Sequence, residues 1–155
     1  MKKLLFCAFL LICCAGLFAG CLDSDSGNAS FVPGIPEDQG EQRDWGGLSP
    51  EFSLVYMKGT EDLVIVDLRA TEFYNEVHFE GAVHIPIEEL TRDEIDALYM
   101  ALPEGRPVIS HCRRGVSVIP EHDIMKELRP DIWEISYIAG VPLFDEYNEW
   151  YAENN

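Results

Sequence analysis

The octapeptide HCRRGVSV, residues 111–118, sets one thiol directly after the apolar run PVIS and before two arginines and a glycine. A cysteine is nucleophilic as its thiolate, and an ordinary thiol with a pKa of about 8.5 is mostly protonated at neutral pH unless positive potential surrounds it. Three features around Cys112 supply that potential. Arg113 and Arg114 add two full charges. Gly115 lets the chain curl so that successive amides point at one spot and make a nest for an anion. The helix expected next brings roughly half a positive charge and unpaired N–H groups. The stretch describes an anion-accepting pocket around one thiolate.

Other titratable residues carry less. Asp67 and Arg69 stand at a strand end with Glu72 close by, and Arg69 is expected to pair with Glu72. His111 is expected to satisfy a local hydrogen bond. Of the two adjacent arginines, one is expected to point away from the pocket and pair with surface acid. His78 and His84 are six residues apart on different elements, with no cysteine or carboxylate cluster beside them, so no metal site is expected. His122 and Asp123 read as solvated helix surface. Phe144, Tyr147, Trp150 and Tyr151 recur at helical spacing and read as core.

The elements that must position the thiol alternate. LVIVDL (63–68), AVHIPI (82–87), PVIS (107–110) and IWEISYI (132–138) are strand-like runs. Between and after them, helices are expected over 70–77, over 91–102, from the thiol loop to about Leu128, and over 143–154. Thr91 and Glu94 make a capping box for the second of these. Ser49 and Pro50 suit the start of an earlier helix. Strands alternating with helices predict an α/β fold, a mostly parallel central sheet with helices on both faces. Sites in such sheets lie beyond the carboxyl ends of the strands, where Cys112 stands.

The rest of the chain reads as delivery. Residues 1–20, MKKLLFCAFLLICCAGLFAG, carry two lysines, an apolar run and small residues, the pattern of a secretory signal. FAGC, ending at Cys21, resembles the lipobox of bacterial lipoproteins, which implies lipidation of Cys21 and an extracytoplasmic, membrane-anchored protein. Residues 21–47 are rich in Ser, Gly, Pro and acid and are expected to be a disordered linker, with the folded domain over 48–155. Of five cysteines, Cys7, Cys13 and Cys14 fall in the signal and Cys21 in the anchor, leaving Cys112 as the one thiol of the domain. Removing Lys2 and Lys3 leaves nine of 11 basic residues against 28 acidic ones. So acidic a chain is not expected to bind nucleic acid, and anionic headgroups repel it, so the lipid is the only expected membrane contact.

Two families place a cysteine in such a loop. Phosphatases of the H-C-x5-R type close the site with an arginine six residues after the cysteine, where this chain has Val118. CRRGVS resembles the active-site loop of the rhodanese family, with VDLRATEFYNEVHFEGAVHIP upstream and ISYIAGVPLFDEYNEW downstream resembling its other motifs. The chain differs from those motifs at Val77, Glu80 and Val141, and has Pro120 where small helix formers are usual. The resemblance covers about residues 48–152 and implies a single rhodanese-like domain. It further implies a sulfurtransferase that moves sulfur from a small anionic donor such as thiosulfate to a thiol acceptor. The sulfur would ride as a Cys112 persulfide, without cofactor, with Arg113, Arg114, Gly115, Val116 and Ser117 binding the donor. The alternatives are a non-catalytic binding module of the same fold and a phosphatase-like enzyme.

Overall fold

A computed structural model describes residues 42–155. The chain runs β1 (Arg43–Leu48), α1 (Pro50–Gly59), β2 (Val64–Asp67), α2 (Thr71–Glu76), β3 (Val83–His84), α3 (Arg92–Met100), β4 (Val108–His111), α4 (Val118–Leu128), β5 (Glu134–Ile138) and α5 (Phe144–Asn154). The five strands form one parallel sheet in the order β1-β5-β4-β2-β3. The predicted α/β architecture is found.

Local chemistry starts the helices where the residue types allow. Ser49 caps α1 by accepting from the Phe52 N–H at 3.3 Å, with Pro50 in the first turn where no helical N–H bond is lost. Thr91 and Glu94 form the reciprocal box that opens α3. Strand alternation then sorts side chains between two faces. Val64, Val66, Leu68, Val108 and Cys112 pack with Ile95 and Tyr99 of α3 and Val118 and Met125 of α4. The ring of His111, one residue out of phase, meets Phe79 and Phe144 instead. Helix α3 packs on α4, and α1 on α5.

Two expectations are corrected here. Residues 43–47, assigned to the linker, are the first part of β1, which pairs in parallel with β5. The RDWGGL strand is mostly exposed and lacks alternation because it is a sheet edge, held by backbone bonds to β5. Its bulge is built by Gly46 at φ +61°, whose N–H donates to Asp44 Oδ1 at 2.8 Å. The second correction concerns His122, read as solvated surface. It is buried, with Nε2 2.9 Å from Asp44 Oδ1 and its ring against Tyr137. Lys126 also binds Asp44, at 2.7 Å, so β1 is clipped to α4 at one carboxylate. Burial works against that charge, but the bonds from Lys126, the Gly46 amide and His122 hold the Asp44 carboxyl below its usual range.

The signal over 1–20, the lipidated Cys21 and the rest of the linker lie outside the described residues. Among the described residues no helix is long and apolar enough to cross a membrane, and no cluster of His, Cys, Asp or Glu is arranged to hold a metal ion.

Candidate active site

Cys112 follows β4 at the carboxyl edge of the sheet, 5% exposed and free of any disulfide. It opens into a cleft of about 300 Å³ lined by Leu68, Ala70, Phe73, Arg113, Arg114 and Ser117, together with Arg69, Glu88 and Val116. Arg113 lies with its guanidinium 4.3 Å from the centre of the Phe73 ring. The expectation that one arginine turns away to a surface acid is corrected: both line the cleft, and neither makes an ion pair among the described residues.

The loop keeps its shape through glycine. Gly115 has φ +77°, and a Cβ there would lie 2.3 Å from the Gly140 nitrogen and 2.8 Å from the Ala139 carbonyl carbon. No side chain fits that approach. Gly140 is in turn closed against Pro50, whose Cγ would be 2.7 Å from an added Cβ. The start of α1, the turn after β5 and the thiol loop are therefore stacked in contact. The backbone N–H groups of residues 113–117 donate to no acceptor among the described residues, and α4 begins just beyond them. Pro120 is the third residue of α4, where its missing N–H costs no helical bond.

Beneath the cleft lies a buried charge pair. Arg69 Nε and Nη2 donate to the Asp67 carboxylate at 2.9 and 2.5 Å, and Nη2 also reaches the Val77 carbonyl at 2.5 Å. The guanidinium lies over Phe144 at 4.4 Å. The expected Arg69–Glu72 pair is replaced because Glu72, in the first turn of α2, is exposed, whereas Asp67 lies two residues back on the same side of the strand end. His111 is fully buried, and its Nε2 is 3.6 Å from Asp67 Oδ2. Burial pushes the imidazole down to about 4 against the pull of Asp67, with Arg69 adding to the fall. It is neutral at physiological pH.

The three departures from the family motifs are each accommodated. Val77 has an extended backbone, φ −160°, open to any residue. Glu80 offers an N–H that proline lacks, and donates it to Asn148 Oδ1 at 2.9 Å, while Asn148 Nδ2 donates to the His78 carbonyl at 2.8 Å. Val141 is exposed and has no left-handed backbone for a glycine to satisfy. Leu68, Arg69, Ala70, Phe73 and Glu88 line the cleft without being expected in the site, and Glu88 belongs to a turn with no motif of its own. Val118, the position of the phosphatase arginine, is fully buried in the core and points no charge at Cys112.

No curated protein matches the chain. Among solved structures it is similar to the rhodanese-like domain of an Anabaena protein, at 16% identity over 68% of this chain and 74% of that one, with a TM-score of 0.47. It is also similar to the human single-domain sulfurtransferase, at 23% identity over 70% of this chain and 97% of that one, with a TM-score of 0.42. The family pattern described as Rhodanese-like domain matches residues 53–133, more than half of the chain and all of the thiol loop. By that match the chain belongs to the rhodanese-like family, which includes sulfurtransferases and also many members without catalysis.

Proposed function

We propose that the protein is a sulfurtransferase acting through a persulfide on Cys112. The observation that carries this is the seat of the thiol: Cys112 opens into a cleft lined also by Arg113 and Arg114, and the five amides that follow it in the chain have no acceptor among the described residues. The thiolate attacks the outer sulfur of a thiosulfate-like anion. A new S–S bond forms to Cys112, the donor's S–S bond breaks, and its electron pair leaves with sulfite. The arginines draw the anion in and offset charge on the departing sulfite, and the amides of residues 113–117 hold the terminal persulfide sulfur. Ser117, in the cleft wall, is the side-chain donor for that sulfur. An acceptor thiolate or cyanide then removes it and returns Cys112 to its starting state.

The test is the intact mass of the full chain before and after thiosulfate, with Cys112→Ser beside it. A gain of about 32 Da in the wild type that cyanide removes, absent from the variant, is expected. A folded protein that gains nothing would instead be a binding module of the same family. The delivery reading extends the proposal: export by residues 1–20 and lipid attachment at Cys21 place this chemistry outside the cytoplasm. Cys21→Ser is expected to release the chain from the membrane fraction.

A further inference from the structure

The cleft of Cys112 contains a carboxylate that an anion site does not need. Glu88 lines it opposite the charge type of Arg113 and Arg114. Its position is built by its neighbours. The turn at residues 86–90 is closed by the Glu89 N–H donating to the Pro86 carbonyl at 2.9 Å. Ile87 and Leu90, on either side, pack against the core. Glu89 is committed to the start of α2, where it accepts from the Thr71 N–H at 2.6 Å and the Thr71 hydroxyl at 2.7 Å. Glu88 is thus the carboxylate of this turn that faces the cleft, and it makes no hydrogen bond or ion pair among the described residues.

The mouth is therefore dipolar, with two arginines and one carboxylate that do not neutralise one another in salt bridges. A small dianion is drawn by the arginines and repelled by Glu88. A reactant carrying both an anionic group and an ammonium satisfies both sides, and Leu68, Ala70 and Phe73 give it an apolar wall. The sulfur donor has no cationic part, so the group that Glu88 recognises belongs to the acceptor. Resting on the sulfurtransferase reading, we infer that Glu88 sets acceptor specificity, selecting a small thiol that bears an ammonium group beside its carboxylate.

In the transfer the acceptor thiolate attacks the outer sulfur of the Cys112 persulfide. The S–S bond to Cys112 breaks, its electron pair returns to Cys112 as thiolate, and the acceptor leaves as a persulfide. The acceptor's proton is given to solvent, and no external oxidant or reductant is consumed. Glu88 holds the ammonium and takes no part in the bond exchange.

The experiment loads the full chain with thiosulfate and follows transfer to cysteine, cysteamine, 3-mercaptopropionate and cyanide, in the wild type and in Glu88→Gln. Comparing each acceptor with itself across the two proteins cancels its intrinsic reactivity. Expected is a loss of about 5-fold in kcat/KM for cysteine and cysteamine, with 3-mercaptopropionate equal or faster. Glu88→Lys is expected to widen that split. An equal change for all three thiols, or none for the two amines, overturns the inference, while transfer to cyanide still upholds the persulfide reading. A wild type that passes sulfur to no acceptor, cyanide included, overturns both.

Discussion

His111 spends its neighbours' charge unusually: it is buried beside Asp67 and Arg69 yet is held neutral, its imidazole pushed down to about 4 by burial. The unfolded chain binds a proton there near pH ~6.5, the folded protein only near 4, so acid favours unfolding. Its contribution to stability is present in full above the unfolded value and is lost as the pH falls, levelling off below about 4. Urea unfolding at pH 7 and pH 5 is expected to show a loss of about 1 to 2 kcal/mol in the wild type, and a smaller loss in His111→Gln. Equal losses would place the acid sensitivity elsewhere. The Asp67–Arg69 pair sets a second expectation at this scale. Asp67→Ala leaves a buried guanidinium unpaired and is expected to destabilise by about 3 to 5 kcal/mol. For Arg113 and Arg114, each change to Ala is expected to raise KM for thiosulfate several-fold while Cys112 remains loadable at high donor, as read by the mass assay. Cys112 and its arginines were legible because a thiol, two cations and a glycine in one loop have few other uses. The partner of Arg69 and the state of His111 were not, because burial is a property of surroundings that only the packed sheet supplies.

At the scale of elements, the thiol loop depends on the turn after β5. Gly115→Ala forces a side chain onto the Gly140 backbone at a left-handed φ, and is expected to cost at least about 2 kcal/mol and to shift the loop. Thermal unfolding and persulfide loading measure the two effects. Helix starts were readable in advance, since Ser49 and the Thr91–Glu94 box act within one turn of chain. The clasp of Asn148 on residues 78 and 80 was not, because its two ends are about seventy residues apart in sequence and no local pattern couples them. Asn148→Ala frees the Glu80 N–H and the His78 carbonyl and is expected to destabilise by about 1 to 2 kcal/mol in urea unfolding.

At the largest scale, residues 42–155 fold around one five-stranded parallel sheet whose outer strand β1 starts before the domain boundary expected from composition. A chain starting at residue 49 loses the β1 ladder, buried Leu48 and the Asp44 clip, and is expected in urea unfolding to be less stable than one starting at residue 42 by at least about 3 kcal/mol. Alternating β-branched runs and helical spacings determined the α/β class, and the residue types at 112–117 determined where the chemistry lies, because both are written in short-range order along the chain. Tertiary structure decided the rest. It recruited RDWGGL as an edge strand, buried His122 and His111, turned both arginines to the cleft and brought Glu88 to its mouth. Each of these depends on which distant surfaces meet and exclude water, and that is settled only when the sheet and helices close on one another.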